Sequence, residues 1–193
     1  MELTKRQMDI VNAAILIIAR MGYKELTTKN LAKQMGLTEA ALYRHFDSKN
    51  DIVIAVLNYF EMLSMAVIDE LNANQCPPLE CIKHFVMNRY QLFMDNPDLA
   101  KVMFSEEIFK NDPAFAQQML SIMHLHRDHI MLYVNSAQQR GDVSSDIDPL
   151  NLFRIMIGSM RLIISQWNLT GHAFDLRIEG EKLWITIEKM IKR

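Results

Sequence analysis

Glycine and proline are scarce in this 193-residue sequence, six and five in number, and cysteine occurs only twice. With half of the residues apolar, that shortage excludes collagen-like, low-complexity and disordered chains. Cys76 and Cys81 are too few and too plainly spaced for a metal knuckle or a disulfide framework, so a reducing, cytoplasmic compartment is expected. No opening segment joins a basic start to an apolar run and a small-residue cleavage site. No uncharged apolar run reaches the length of a bilayer span, so a soluble protein without a membrane partner is expected. Catalytic signatures are missing too. There is no Gly-rich phosphate loop, no Gly-x-Ser-x-Gly and no His-Glu-x-x-His, so neither an enzyme nor a cofactor is expected. His124, His126 and His129 lie close in sequence, but no carboxylate–histidine pair completes a site, and no metal is expected. Sustained period-two alternation is also absent, which leaves no sheet to build.

What the sequence has is helical periodicity with helical punctuation. Ile10, Ala14, Ile17, Ile18 and Met21 fall on one helical face, as do Phe115, Met119, Ile122, Met123, His126, Ile130 and Val134. Thr4 with Gln7, and Ser48 with Asp51, have capping-box spacing. Asn96-Pro97, Asp112-Pro113 and Asp148-Pro149 each set a side-chain acceptor before a proline, the order of an N-cap and a first helical residue. Gly36, Gly141 and Gly171 follow periodic stretches and read as helix stops. The pattern predicts an all-α chain of about nine helices, near 4–21, 28–35, 39–45, 48–74, 79–94, 97–110, 113–140, 149–169 and 175–191.

Charge is distributed unevenly along this pattern. The net charge of −2 conceals a surplus of three positive charges in residues 1–50 and of five negative charges in the rest. A basic head on an acidic body fits a polyanion at one end, or simply a solvated surface. Within the head, Thr27 to Phe46 reads as two short helices around a tight turn. Leu31, Ala32 and Met35 face inward, Gly36 ends the first helix, Leu37 plugs the turn, and Thr38 caps the second helix with Glu39 at its positive end. This spacing describes either a helix-turn-helix or an ordinary helical hairpin.

The residues Gly22-Tyr23, Thr27-Thr28, Leu31-Ala32, Gly36-Leu37-Thr38, Leu42-Tyr43-Arg44-His45-Phe46, Ser48-Lys49 and Ile52 resemble the DNA-binding domain of the TetR family of transcriptional regulators. The resemblance covers roughly the first quarter of the chain. It implies a three-helix helix-turn-helix domain at 1–47 and a larger helical bundle for ligand binding and dimerisation at 48–193. Thr28 would then bond a phosphate, and Thr38, Glu39 and Ala40 would open the recognition helix toward the major groove. Tyr43 would meet a phosphate through its phenol or a thymine methyl through its ring. His45 would lie near the DNA backbone, and Lys49 would pair with a phosphate. Arg44 adds a base or phosphate contact, or is a solvated charge. Glu39 accepts from a cytosine amine, or is only a helix-start charge. Many relatives carry a hydroxyl residue where Ala41 stands here, so one polar contact is missing and phosphates are expected to supply much of the affinity.

In the body, the stretch 149–169 is apolar nearly all round and must be covered on more than one side. The resemblance implies that the last two helices form a four-helix homodimer interface, here assigned to Phe153, Ile157, Gly158, Trp167, Gly180, Trp184, Ile187 and Ile191. Two-fold symmetry would set the recognition helices about 34–36 Å apart, one turn of DNA. The methionine-rich middle reads as core or as an adaptable cavity. With the family in view, a pocket for an apolar or aromatic effector is expected from Met62, Phe85, Arg89, Tyr90, Phe93, Met103, Met119, Met123, His126, Met156 and Met160. The functional expectation is a cytoplasmic regulator, repressing by the family's habit, released from a palindromic double-stranded operator by that effector. The alternative is a DNA binder of the same type without an inducer, whose body engages a protein.

Overall fold

Helix boundaries follow the local chemistry of the chain. A computed structural model describes residues 3–74 and 76–192. Glu2, counted in the charge of the head, lies outside the described residues. Thr4 and Gln7 form a reciprocal capping box that opens α1 (Lys5–Met21), and a 3-10 turn, Tyr23–Glu25, follows. Thr27 caps α2 (Thr28–Met35), and Gly36 ends it in the left-handed conformation (φ 64°). Thr38 caps α3 (Glu39–Leu42), and α4 (Lys49–Asn74) begins after Ser48. Prolines open α5 (Pro78–Asp95), α6 (Pro97–Met103), α8 (Pro113–Arg140) and α9 (Pro149–Leu169). The remaining helices are α7 (Glu106–Asn111) and α10 (Leu176–Ile191). Among the described residues there is no strand, and the chain is all-α.

The structure corrects several expectations. The helix expected at 97–110 is two, because the chain turns at Phe104-Ser105 before Glu106 and Glu107 open α7. The recognition helix ends at Leu42 rather than residue 45, and His45 and Phe46 N–H groups both return to the Leu42 carbonyl. Met21 is exposed, whereas Ile10, Ala14, Ile17 and Ile18 of the same stripe are buried. Asp112 and Asp148 cap the helices that follow them, but the Asn96 amide donates back to the Leu92 carbonyl, closing α5 instead. Cys76 and Cys81, read as too few for a disulfide framework and as a sign of a reducing compartment, are joined by a disulfide. Pro77 and Pro78 bend the chain into α5, which brings the two Cα atoms to 5.8 Å, within bridging range.

The chain divides into two units. The first takes the chain up to Met62 together with Asp98–Ser121, and the second takes Leu63–Pro97 and everything from Ile122 onward. Helices α4 and α8 contribute residues to both. In the first unit, α1 packs on α2 and α2 on α3, burying Val11, Ala14, Leu26, Leu31 and Leu42. In the second, α5, α9 and α10 pack on one another, and Trp184, Tyr90, Phe85 and Phe93 are among its largest buried side chains. One described helix, Lys49–Ala73 of α4, is long and apolar enough to cross a membrane by length and composition. Half of its most apolar window is buried in the protein, and Asp51, Glu61, Asp69 and Glu70 interrupt the stretch, so a search for an uncharged run passes it over.

Candidate nucleic-acid interface and the core of the body

Three caps hold the reading surface of the first unit. The Thr27 hydroxyl accepts from the Asn30 N–H (3.1 Å), and the Thr38 hydroxyl accepts from the Ala41 N–H (3.2 Å). The Ser48 hydroxyl accepts from the Asp51 N–H (3.1 Å) at the mouth of α4. Each cap satisfies a helix-end donor that water would otherwise have to reach. Between them, the Leu37 N–H bonds the Ala32 carbonyl (2.9 Å) across the Gly36 turn, and Leu42 anchors α3 in the core.

This framework leaves Thr38, Glu39, Ala40, Tyr43 and Arg44 on the outside, with the Tyr43 ring 51% exposed. Thr28, His45 and Lys49 are half-buried. Thr28 donates its hydroxyl to the Glu39 carboxylate (2.5 Å), which ties the start of α2 to the start of α3 and occupies both groups. The Lys49 ammonium sits 4.4 Å from the centre of the Tyr23 ring, a cation–π contact that positions it at the first turn of α4. Sequence reasoning passed over Gln7, whose amide donates to the His45 carbonyl (3.2 Å) and fixes the end of the helix-turn-helix to α1. Its capping-box role was legible, but the long-range bond was not.

The expected pocket residues divide between the units. Met62, Met103 and Met119 belong to the first; Phe85, Arg89, Tyr90, Phe93, Met123, His126, Met156 and Met160 belong to the second. Met62 and Met123 are exposed, whereas Phe85, Arg89, Tyr90, Phe93, Met103, Met119, Met156 and Met160 are buried. In the second unit, Phe85 meets His126 edge-on with ring centres 5.5 Å apart, and the Arg89 guanidinium lies 5.2 Å from the Phe85 ring centre. Arg89 donates to the Ser64 hydroxyl (2.6 Å) and to the Asn88 carbonyl oxygen (2.7 Å). Burial pushes the guanidinium down to about 10, so it stays charged at neutral pH. Burial first, then the charge of Arg89, and His129 last push the His126 imidazole down to about 3, so it is neutral. Burial likewise raises the Tyr90 phenol.

The residues assigned to the dimer face mostly turn inward. Trp167, Gly180, Trp184, Ile187 and Ile191 are buried within the single chain, Phe153 and Ile157 are half-buried, and Gly158 is exposed. Gly180 does mark a close helix approach, but to α5 of its own chain: a Cβ there would collide with the Tyr90 ring. The apolar side chains left outside are Ile155, Leu162 and Leu169 on α9, and Ile178, Ile185 and Met190 on α10. A surface groove of about 320 Å³ runs beside them, lined by Leu162, Ile163, Gln166, Leu183 and Thr186.

Comparison with known proteins supplies context for this arrangement. Residues 10–56 match the family described as bacterial regulatory proteins, tetR family. Over 191 residues, 98% of this chain and 97% of its counterpart, the sequence is 33% identical to the nucleoid occlusion factor SlmA of Vibrio campbellii. It is 21% identical over 176 residues, 89% of this chain and 88% of the other, to the fatty acid metabolism regulator protein of Bacillus subtilis. The crystal structure of the transcriptional regulator FadR from Bacillus subtilis, in complex with stearoyl-CoA, has the same fold. Its TM-score is 0.79 at 18% identity, over 93% of this chain and 96% of that one.

Proposed function

Because the chain belongs to the tetR family of bacterial regulatory proteins, a family of DNA-binding transcription regulators, we propose that it is a ligand-released repressor working as a homodimer on a palindromic operator in the cytoplasm. The observation that carries the DNA-binding part is the capped helix-turn-helix, which holds Thr38, Glu39, Ala40, Tyr43 and Arg44 outward on a framework buried behind them. In this reading Tyr43 and Lys49 take phosphates, Thr28 (through its helix-start N–H) and His45 flank them on the DNA backbone, and Arg44 lies at the edge of the groove. Glu39, already bonded to Thr28, serves the architecture of the head more than base reading.

The dimer forms through the outer faces of α9 and α10. Ile155, Leu162 and Leu169 recur every seven residues, as do Ile178 and Ile185, the spacing of a helix seam that supercoils against a partner. An apolar effector enters the body among Phe85, Arg89, Tyr90, Phe93, His126, Met156 and Met160. Its effect passes along α4, one helix that supplies Lys49 to the head and Ser64 to the body. The effector releases DNA only if it binds the non-DNA conformation better, and a coupling of about 1–3 kcal/mol is typical. Support for an effector comes from the B. subtilis relatives, one named for fatty acid metabolism and one holding stearoyl-CoA.

A second reading rests on the 33% identity to a nucleoid occlusion factor over nearly the whole chain: the head binds DNA and the body engages a protein, with no inducer. Fluorescence anisotropy with DNA from upstream of the gene, against scrambled DNA at two salt concentrations, tests the DNA-binding part. We expect tight, salt-sensitive preference for the upstream DNA and a loss of at least tenfold with Tyr43→Ala and Lys49→Ala together. Binding that is equal on both DNAs and indifferent to both substitutions would overturn it. Displacement of that DNA by an apolar compound favours the effector reading; its failure across a broad set favours the protein-partner reading.

A further inference from the structure

Among the described residues Arg89 is the only buried charged side chain, 2% exposed. Its hydrogen bonds go to Ser64 and Asn88, both neutral, and its Nε–H has no hydrogen-bond acceptor. No described carboxylate forms an ion pair with it, and burial alone accounts for its lowered pKa. The Phe85 ring lies 5.2 Å from the guanidinium and also meets the His126 imidazole, which is neutral and supplies no countercharge.

A buried cation without a countercharge costs stability, and an apolar side chain of similar volume would fill the space at less cost. Arginine is therefore out of place here as packing. It fits as half of an ion pair whose other half arrives from outside. A single guanidinium neutralises a single negative charge, and the open Nε–H lies on the edge that receives a planar carboxylate by two parallel bonds. Phe93, Tyr90, Met156 and Met160 are buried in the interior of the same unit.

Resting on the effector reading above, we propose that the effector is an apolar monocarboxylic acid, its carboxylate held by Arg89 in the core of the body. Ser64 holds the guanidinium in place from α4. A carboxylate on the Nε–H edge adjoins the nitrogen that holds Asn88 and leaves the Ser64 bond on the other nitrogen, so one guanidinium joins the effector's charge to the helix that leads to Lys49.

The test uses the full chain with its upstream DNA. Benzoate, decanoate and hexadecanoate are each titrated beside the matching alcohol, which keeps the apolar body and lacks the charge. We expect at least one acid to bind wild-type protein tenfold or more tighter than its alcohol and to release the DNA. Arg89→Met should keep DNA binding and lose that preference, and Arg89→Lys should recover part of it. Equal binding of acid and alcohol to wild type overturns the anion proposal and leaves an effector intact, and that comparison needs no variant to fold. A preference that persists in Arg89→Met also overturns it, assigning the charge recognition elsewhere. If no acid and no alcohol binds, the anion proposal and the effector reading fall together.

Discussion

His126 can be accommodated here only as a neutral imidazole, since burial, Arg89 and His129 all oppose its protonation. Its pKa lies near 3 in the fold and near 6.5 in the unfolded chain, so acid drives protons onto the unfolded state alone. The resulting stability is complete above pH 6.5 and is lost as pH falls toward 3, at up to about 1.4 kcal/mol per pH unit. Between pH 7 and pH 5, wild-type protein should lose about 2 kcal/mol more than His126→Phe, as read from urea midpoints at the two pH values. Equal losses would place the imidazole in water. The protonation state was not visible in the sequence, which placed His126 on a helix face and among the pocket residues and, with His124 and His129, raised a question about metal. Burial decides the chemistry of such a group, and burial depends on what other helices bring against it. Arg89 is similar: sequence could name it as a polar anchor, but its lack of a countercharge is a property of the folded core alone.

Among the helices, legibility follows whether the signal is local. Prolines and caps are local, so the starts of α6, α8 and α9 stand where Asn96-Pro97, Asp112-Pro113 and Asp148-Pro149 put them. The break between α6 and α7 carries no glycine or proline. Its only mark is Ser105 before two glutamates, a helix-start composition that the apolar run on either side obscures. Face assignment on α10 was harder. Periodicity defines a stripe of Trp184, Ile187 and Ile191 but not whether its own chain or a partner covers it, and here its own chain does. Gly180 makes that inward contact possible by admitting the Tyr90 ring between α5 and α10. Gly180→Ala gains about 1 kcal/mol of helix propensity but overpacks this contact at about 1–3 kcal/mol, so a net loss is expected. The sharper prediction is the coupling: in a Tyr90→Ala background the same substitution should become neutral or stabilising, as a thermal double-mutant cycle would reveal. Strict additivity would mean the ring is not what Gly180 accommodates.

For the whole molecule, the apolar seam on α9 and α10 gives the dimer proposal its most direct test. Leu162→Glu with Ile185→Glu places charge on that seam while leaving the buried Trp167 and Trp184 untouched. We expect a folded monomer by sedimentation and operator binding weakened by about a hundredfold or more, because each head alone retains only its own phosphate contacts. A stable dimer with unchanged affinity would locate the interface elsewhere. The place of Lys49 over the Tyr23 ring takes on its meaning in such a dimer. On the proposed reading, in which Lys49 takes a phosphate, the ring holds its long side chain in advance, so clamping freezes little further motion. In the currency of time, one charge among many changes the rate of encounter only slightly. The ready-made grip lengthens how long each head stays down, and two heads on one operator compound that residence.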